Sequence, residues 1–163
     1  AETAVQASLT GHIVFSTLHT NDAPGAITRL TDMGVEPFLI SSSVEGVLAQ
    51  RLVRRVCAEC ASAYTPDPAE LPPDFNIGPG RTLTHGEGCR ACRGTGFRGR
   101  IGIYELLRSS HDIREMIMER ESAPAIAERA LADDDLTILK QDGYEKALDG
   151  VTTIGEVARA LAV

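Results

Sequence analysis

Apolar positions along the chain change period several times, and each change marks an expected element boundary. Residues 1–8 read as a helix with no capping residue ahead of it, so the chain is expected to be a piece of something longer. Thr10-Gly11 breaks that helix. The next residues, His12-Ile13-Val14-Phe15-Ser16-Thr17-Leu18-His19, form an apolar run that does not alternate, is biased to β-branched side chains and ends in polar ones. This pattern predicts a buried strand of a parallel sheet.

Helical period follows. Thr20-Asn21-Asp22 can cap a helix over residues 23–33, in which Ala26, Ile27 and Leu30 share a face and Gly34 stands where a C-terminal cap belongs. A second helix is expected over residues 35–49, with Pro37 in its first turn and Phe38, Leu39, Ser42, Val44, Val47 and Leu48 along one stripe. Residues 50–56 read as a strand, and residues 99–107 as another that could pair with it. Between them, Pro66, Pro68, Pro72, Pro73 and Pro79 punctuate a stretch of little periodicity, expected to be mostly loop. Residues 109–163 are expected to be helical. Ile113, Met116 and Ile117 mark a first apolar face there; Leu136, Leu139, Tyr144, Ala147 and Leu148 mark a later one, interrupted or bounded by Asp142-Gly143. Ile154, Val157, Ala158 and Leu161 mark the last. Ser109 with Asp112, and Thr153 with Glu156, have capping-box spacing. The fold class is α/β.

Composition narrows the function classes. No apolar run approaches the ~20 residues needed to cross a bilayer, and a net charge of -7 argues against nucleic acid as the main partner. The charge is uneven. Residues 51–100 carry eight basic residues against five acidic, while the flanking stretches are acidic. Arg51, Arg54, Arg55, Arg90, Arg93, Arg98 and Arg100 could face a phosphate-bearing partner, as in a zinc-ribbon nucleic-acid-binding module, but the favoured reading is solvated arginines neutralised by the acidic remainder of the fold.

That basic stretch also holds all four cysteines, as Cys57-Ala58-Glu59-Cys60 and Cys89-Arg90-Ala91-Cys92. Two residues between cysteines let both thiolates of a pair turn to one point, and two such pairs complete a tetrahedral set of sulfurs for Zn2+. Four thiolates leave no open position, so the metal would be structural rather than catalytic. Disulfides and a redox dithiol are the competing readings, and no secretory leader opens the chain to favour oxidation. Gly94 and Gly96 after the second pair allow the backbone turns that aim amides at sulfur. The same Cys-x-x-Cys-x-Gly-x-Gly string is the repeat of Hsp40-type chaperone zinc domains, but it occurs once here, and the first pair lacks the glycines.

Outside the cysteines, Ser16, Thr17 and His19 stand at the polar end of the first expected strand, where ligands of open α/β sheets bind. They could reach a phosphate or merely satisfy local backbone groups. His12 reads as a hydrogen-bonded core histidine, His85 as a weak substitute zinc ligand, and His111 as a surface residue. No Gly-x-x-x-x-Gly-Lys-Ser/Thr phosphate loop occurs, so the chain alone is not expected to hydrolyse ATP.

The stretch Thr10-Gly11-His12-Ile13-Val14-Phe15-Ser16-Thr17-Leu18-His19-Thr20-Asn21 resembles the histidine box of the type II secretion and type IV pilus assembly ATPases. The resemblance continues through Asp32-Met33-Gly34-Val35-Glu36-Pro37, Leu48-Ala49-Gln50-Arg51-Leu52-Val53-Arg54, both cysteine pairs, and Gly99-Arg100-Ile101-Gly102-Ile103-Tyr104-Glu105-Leu106-Leu107. It implies the C-terminal part of a RecA-like P-loop ATPase core over residues 1–56. A tetracysteine zinc module over 57–99 and a returning strand with a helical region over 100–163 would follow. It further implies that His19 lies near the terminal phosphate of ATP, with Mg2+ bound in the full-length protein, and that Ser16 and Thr17 sit at the sensing strand end. A cytoplasmic homo-hexamer, peripheral at the inner membrane through secretion or pilus platform proteins, is the implied assembly. The tetracysteine module points to the secretion or pilus-extension branch rather than to retraction motors.

Overall fold

Two long strands dominate the middle of the chain. β1 (Gly46–Val56) and β4 (Phe97–Arg108) lie side by side, and β5 (Leu136–Thr137) pairs antiparallel with β4, Leu106 opposite Thr137 and Leu107 opposite Leu136. The expected pairing of the two strands that flank the cysteines is therefore present. The computed structural model describes residues 1–78 and 80–162. Pro79, expected in the loop, and Val163, expected to end the helical region, lie outside the described residues. Contacts divide the chain into two units, residues 1–49 with 105–137 and residues 50–104 with 138–163.

The first unit is mainly helical. α1 (Glu2–Leu9), α2 (Ala23–Asp32), α3 (Pro37–Ser43), α4 (His111–Met118) and α5 (Ala123–Ala132) bury Ala26, Ile27, Ile40, Ile113, Ile117, Ile126 and Ala130. Asp22 caps α2 by accepting from the Gly25 N–H at 2.7 Å, as its sequence position suggested. Two expectations fail here. α3 ends at Ser43 and β1 begins at Gly46, so Val47 and Leu48 are strand residues rather than part of a helix stripe running to Ala49. The physical reason lies in the serines: Ser42 and Ser43 turn their hydroxyls onto the Phe38 and Leu39 carbonyls, and Val44 leaves the helix in extended conformation. Residues 12–19 are not a strand either. They have no regular structure, and Ile13 and Phe15 are 86% and 94% exposed. A strand needs a neighbour to satisfy its backbone groups, and no described strand pairs with this one. His12 is correspondingly exposed, bonded to Thr10 Oγ1 at 3.0 Å, rather than a core histidine.

The cap of α4 is Ser110, one residue later than expected; its Oγ accepts from the Ile113 N–H, and Ser109 Oγ is left buried without a partner. β5 interrupts the stretch expected to be wholly helical.

In the second unit, α6 (Leu139–Leu148) and α7 (Ile154–Leu161) pack with Val53 and Ile103, whose cluster includes Leu139, Ala160 and the partly buried Ile101. Asp142-Gly143 neither interrupts nor bounds α6. Gly143 is buried inside it because a Cβ there would lie 2.6 Å from Val157 Cγ1, so glycine lets α6 and α7 approach. The stretch between the cysteine pairs is mostly irregular, as expected, but it carries a short hairpin of β2 (Ala61–Tyr64) and β3 (Leu83–Gly86), with Ala61 opposite Gly86 and Tyr64 opposite Leu83. Phe75 is buried edge-on against Tyr144 at 4.9 Å, which ties the proline-rich loop to α6. Among the described residues no helix is long and apolar enough to cross a membrane.

Candidate metal centre

The turns at the base of the β2–β3 hairpin bring the four cysteines together. Cys57 closes β1, its N–H donating to the Gly96 carbonyl at 2.9 Å, and Cys60 N–H turns back to the Cys57 carbonyl at 3.2 Å. The second pair closes with a wider turn, Gly94 N–H donating to the Cys89 carbonyl at 2.9 Å. Gly96 has φ +76, and a Cβ on it would stand 2.3 Å from the Gly86 carbonyl oxygen; only glycine permits this crossing of the two arms.

All four Sγ atoms lie within 4.8 Å of one another, with Cys57 to Cys89 at 3.9 Å and Cys92 at 3.8 Å from both Cys60 and Cys89. A tetrahedral ion at ~2.3 Å from each sulfur sets the sulfurs about 3.8 Å apart. No disulfide joins them. Cys57 and Cys92 are buried and the other two partly so.

Backbone donors supply part of the charge compensation. Gly88 N–H points at Cys60 Sγ (3.3 Å), and Cys89 N–H (3.1 Å) and Gly96 N–H (3.3 Å) point at Cys92 Sγ. The Cys89 amide, foremost, and the Gly96 amide hold the Cys92 thiol down at about 6. Burial, foremost, pushes Cys60 up to about 12. Four sulfurs this close cannot all carry charge without a cation among them, which is the chemistry of a closed thiolate metal site. His85 does not enter the cluster; it stacks edge-on with Tyr64 at 5.1 Å.

The arginines divide. Arg54 lies over the Phe97 ring at 4.2 Å and donates from Nη2 to Glu156 at 2.6 Å, while Arg98 pairs with Glu59 at 2.8 Å. Glu156, 3% exposed, also takes the Arg54 N–H and both the Nε and the Nη2 of Arg159, and the Arg54 guanidinium, foremost, holds its carboxyl down at about 2. Sequence reading gave Glu156 only a capping role. Thr153 Oγ1 does accept from the Glu156 N–H, but the carboxylate turns to the arginines instead of completing a capping box. Charge spacing carries no clue to a partner 102 residues away.

Ser16, Thr17 and His19 are exposed and lie in the unpaired segment between α1 and α2, in the first unit, whereas the cysteines lie in the second. His111 is at the start of α4 beside Glu115, at 3.3 Å, on the surface.

Comparison with known proteins agrees with the motif reading. A family described as "Type II/IV secretion system protein" matches residues 1–159. The chain is 50% identical over 159 residues to the type II secretion system protein E of Pectobacterium carotovorum subsp. carotovorum, covering 98% of this chain and 31% of that protein. It is 51% identical to the protein E of Pseudomonas aeruginosa (98% of this chain, 32% of that protein). It is 49% identical to the type IV pilus assembly ATPase PilB of Thermus thermophilus (96% and 18%). The chain thus spans a third or less of the length of these relatives. Its fold resembles that of the pilus retraction motor PilT solved with bound ADP, at a TM-score of 0.61 and 23% identity over 98% of this chain and 35% of that one. The chain belongs to the type II/IV secretion system protein family.

Proposed function

We propose that this chain is the C-terminal part of a cytoplasmic hexameric ATPase that powers type II secretion or type IV pilus assembly from the inner-membrane face. The observation that carries the proposal is the 50% identity to a type II secretion system protein E along 98% of the chain. ATP and Mg2+ would be held mostly by residues outside this chain. Residues 1–56 would complete a RecA-like core, residues 57–99 would form the metal module, and residues 100–163 the returning strand and helical region. The exposed Ile13 and Phe15 support the first assignment, because an apolar segment with this exposure lacks the strands that would cover it.

In this reading His19 meets the terminal phosphate, donating a ring N–H to a phosphate oxygen, and Ser16 and Thr17 line the same strand end. Loss of that phosphate removes the acceptor and frees the segment. Cys57, Cys60, Cys89 and Cys92 would hold one zinc ion, which supplies a structural cross-link with no open coordination position. The residues around it do the rest: they orient the thiolates, donate N–H groups to two of them and fix the bases of both hairpin arms. The family's platform proteins at the membrane are the proposed partners.

The test is turnover of ATP by the complete protein carrying His19→Ala. A fall of roughly a hundredfold in kcat is expected from losing a donor to transferring phosphate. Unchanged turnover would refute the sensing role.

A further inference from the structure

Just ahead of Cys57, the backbone of β1 is held by the segment that enters α7. The Arg54 N–H donates to Glu156 Oε2 at 3.1 Å, the Arg54 carbonyl accepts from Thr152 Oγ1 at 2.8 Å, and the Val56 N–H donates to the Val151 carbonyl at 2.9 Å. Thr152 and Glu156 are 0% and 3% exposed, so water competes little for these bonds. A buried polar group is tolerated where its partners are fixed. Here they hold Arg54 by both of its peptide groups and by its side chain, whose Nη2 donates to Glu156 Oε1 at 2.6 Å.

The same guanidinium lies 4.2 Å from the centre of the Phe97 ring, where the ring face attracts a cation. Phe97 follows Gly96, and Gly96 touches both cysteine pairs. Its carbonyl accepts the Cys57 N–H at 2.9 Å, and its own N–H points at Cys92 Sγ at 3.3 Å. Having no side chain, Gly96 is positioned by its backbone bonds and by the side chains of its neighbours. Thr95 Oγ1 donates to the Cys92 carbonyl at 2.7 Å and secures the turn locally; Phe97 links it to Arg54. A continuous series of contacts thus runs from Glu156 in α7 through Arg54 and Phe97 to an amide that bonds a sulfur, all inside the second unit. Groups that orient metal ligands tune affinity although they do not touch the metal. We infer that Arg54 is a positioning residue for the four-cysteine centre, acting through Phe97 and Gly96, and that it couples metal affinity to the docking of α7. This inference rests on the proposed metal site.

Zinc affinity of the complete protein, measured by competition with a chromophoric chelator, tests it. Arg54→Met keeps the apolar stem and removes the guanidinium, Arg54→Lys keeps the charge without the planar fork, and Phe97→Leu removes the ring and leaves the ion pair. Affinity should fall about tenfold or more in Arg54→Met and Phe97→Leu, and by less in Arg54→Lys. Two comparison variants should stay within twofold of wild type. Arg98→Ala removes an exposed charge beside the cysteines, and Ile103→Val loosens the core of the same unit. With Co2+ in place of zinc, the ligand-field absorption of saturated Arg54→Met should be shifted from that of wild type, because the thiolates are held differently. Metal removal from wild type should accelerate amide exchange across residues 151–158 more than tenfold, and by much less in Arg54→Met, since coupling is reciprocal. Where Arg54→Met does not fold, Arg54→Lys and Phe97→Leu carry the comparison. Affinities within twofold of wild type in the Arg54 and Phe97 variants overturn the inference. An equal loss in Arg98→Ala assigns the effect to charge, an equal loss in Ile103→Val assigns it to stability, and either overturns it too. Unchanged exchange across 151–158 on metal removal overturns the coupling to α7. A wild-type protein that binds no zinc overturns the proposed metal site along with the inference.

Discussion

Replacing Glu156 by glutamine keeps its size and removes the charge that Arg54 and Arg159 share. The carboxyl is held at about 2, against an ordinary value of 4.5, by the Arg54 guanidinium first and by Arg159 and the Arg54 amide after it. That gap corresponds to about 3 kcal/mol of stability at neutral pH. The arginine side chains are 46% and 58% exposed, so solvent screens part of it, and about 2 kcal/mol is the expected loss in Glu156→Gln at pH 7. The sign of the pH dependence follows from the depressed value. Stability from this group is fully present above about pH 5 and declines as pH falls from there towards 2, with roughly 0.8 kcal/mol of it gone by pH 4. Urea unfolding of reduced wild type and Glu156→Gln under identical metal conditions, at pH 7 and pH 4, measures the difference; the metal and cysteine contribution is common to both proteins at each pH and cancels. A difference below about 0.5 kcal/mol at pH 7, or one that does not shrink at pH 4, would refute the reasoning.

Gly143→Ala adds a methyl group 2.6 Å from Val157 Cγ1 at a wholly buried contact. Thermal unfolding should show a net loss of about 1–2 kcal/mol despite the better helix propensity of alanine, largely rescued by Val157→Ala in the same molecule. In the loop between the cysteine pairs, Phe75→Ala should expose residues 65–82 to limited proteolysis and cost about 3 kcal/mol. Asp74→Ala, which loses only the exposed contacts to Lys140 and Tyr144, should leave cleavage near the wild-type rate.

What could be read from the sequence was whatever depends on neighbours in the chain. Asp22 as a cap, Pro37 in a first turn, the Cys-x-x-Cys turns and the strands flanking them are local devices, and each is found in the fold. The cysteine cluster was readable because two identical short spacings specify one geometry. The boundary near Ala49 was misplaced because Val44, Val47 and Leu48 fit a 3.6-residue period although Val47 and Leu48 stand on opposite faces of β1, and the serines that end α3 act through hydroxyl bonds that periodicity does not register. Residues 12–19 have the composition of a strand, but pairing is a property of a partner, and no described strand provides one. Glu105 and Glu156 were not distinguishable from surface acids, since what sets them apart is an amide 82 residues away and an arginine 102 residues away.

The closed thiolate centre is the part of the structure whose chemistry this chain contains entire, and zinc-edge X-ray absorption together with metal analysis of freshly purified, reduced protein tests it most directly. The expected result is one zinc per chain with four sulfur neighbours at ~2.3 Å and no nitrogen or oxygen ligand. A folded protein with less than half an equivalent of metal and four freely titratable thiols would contradict it.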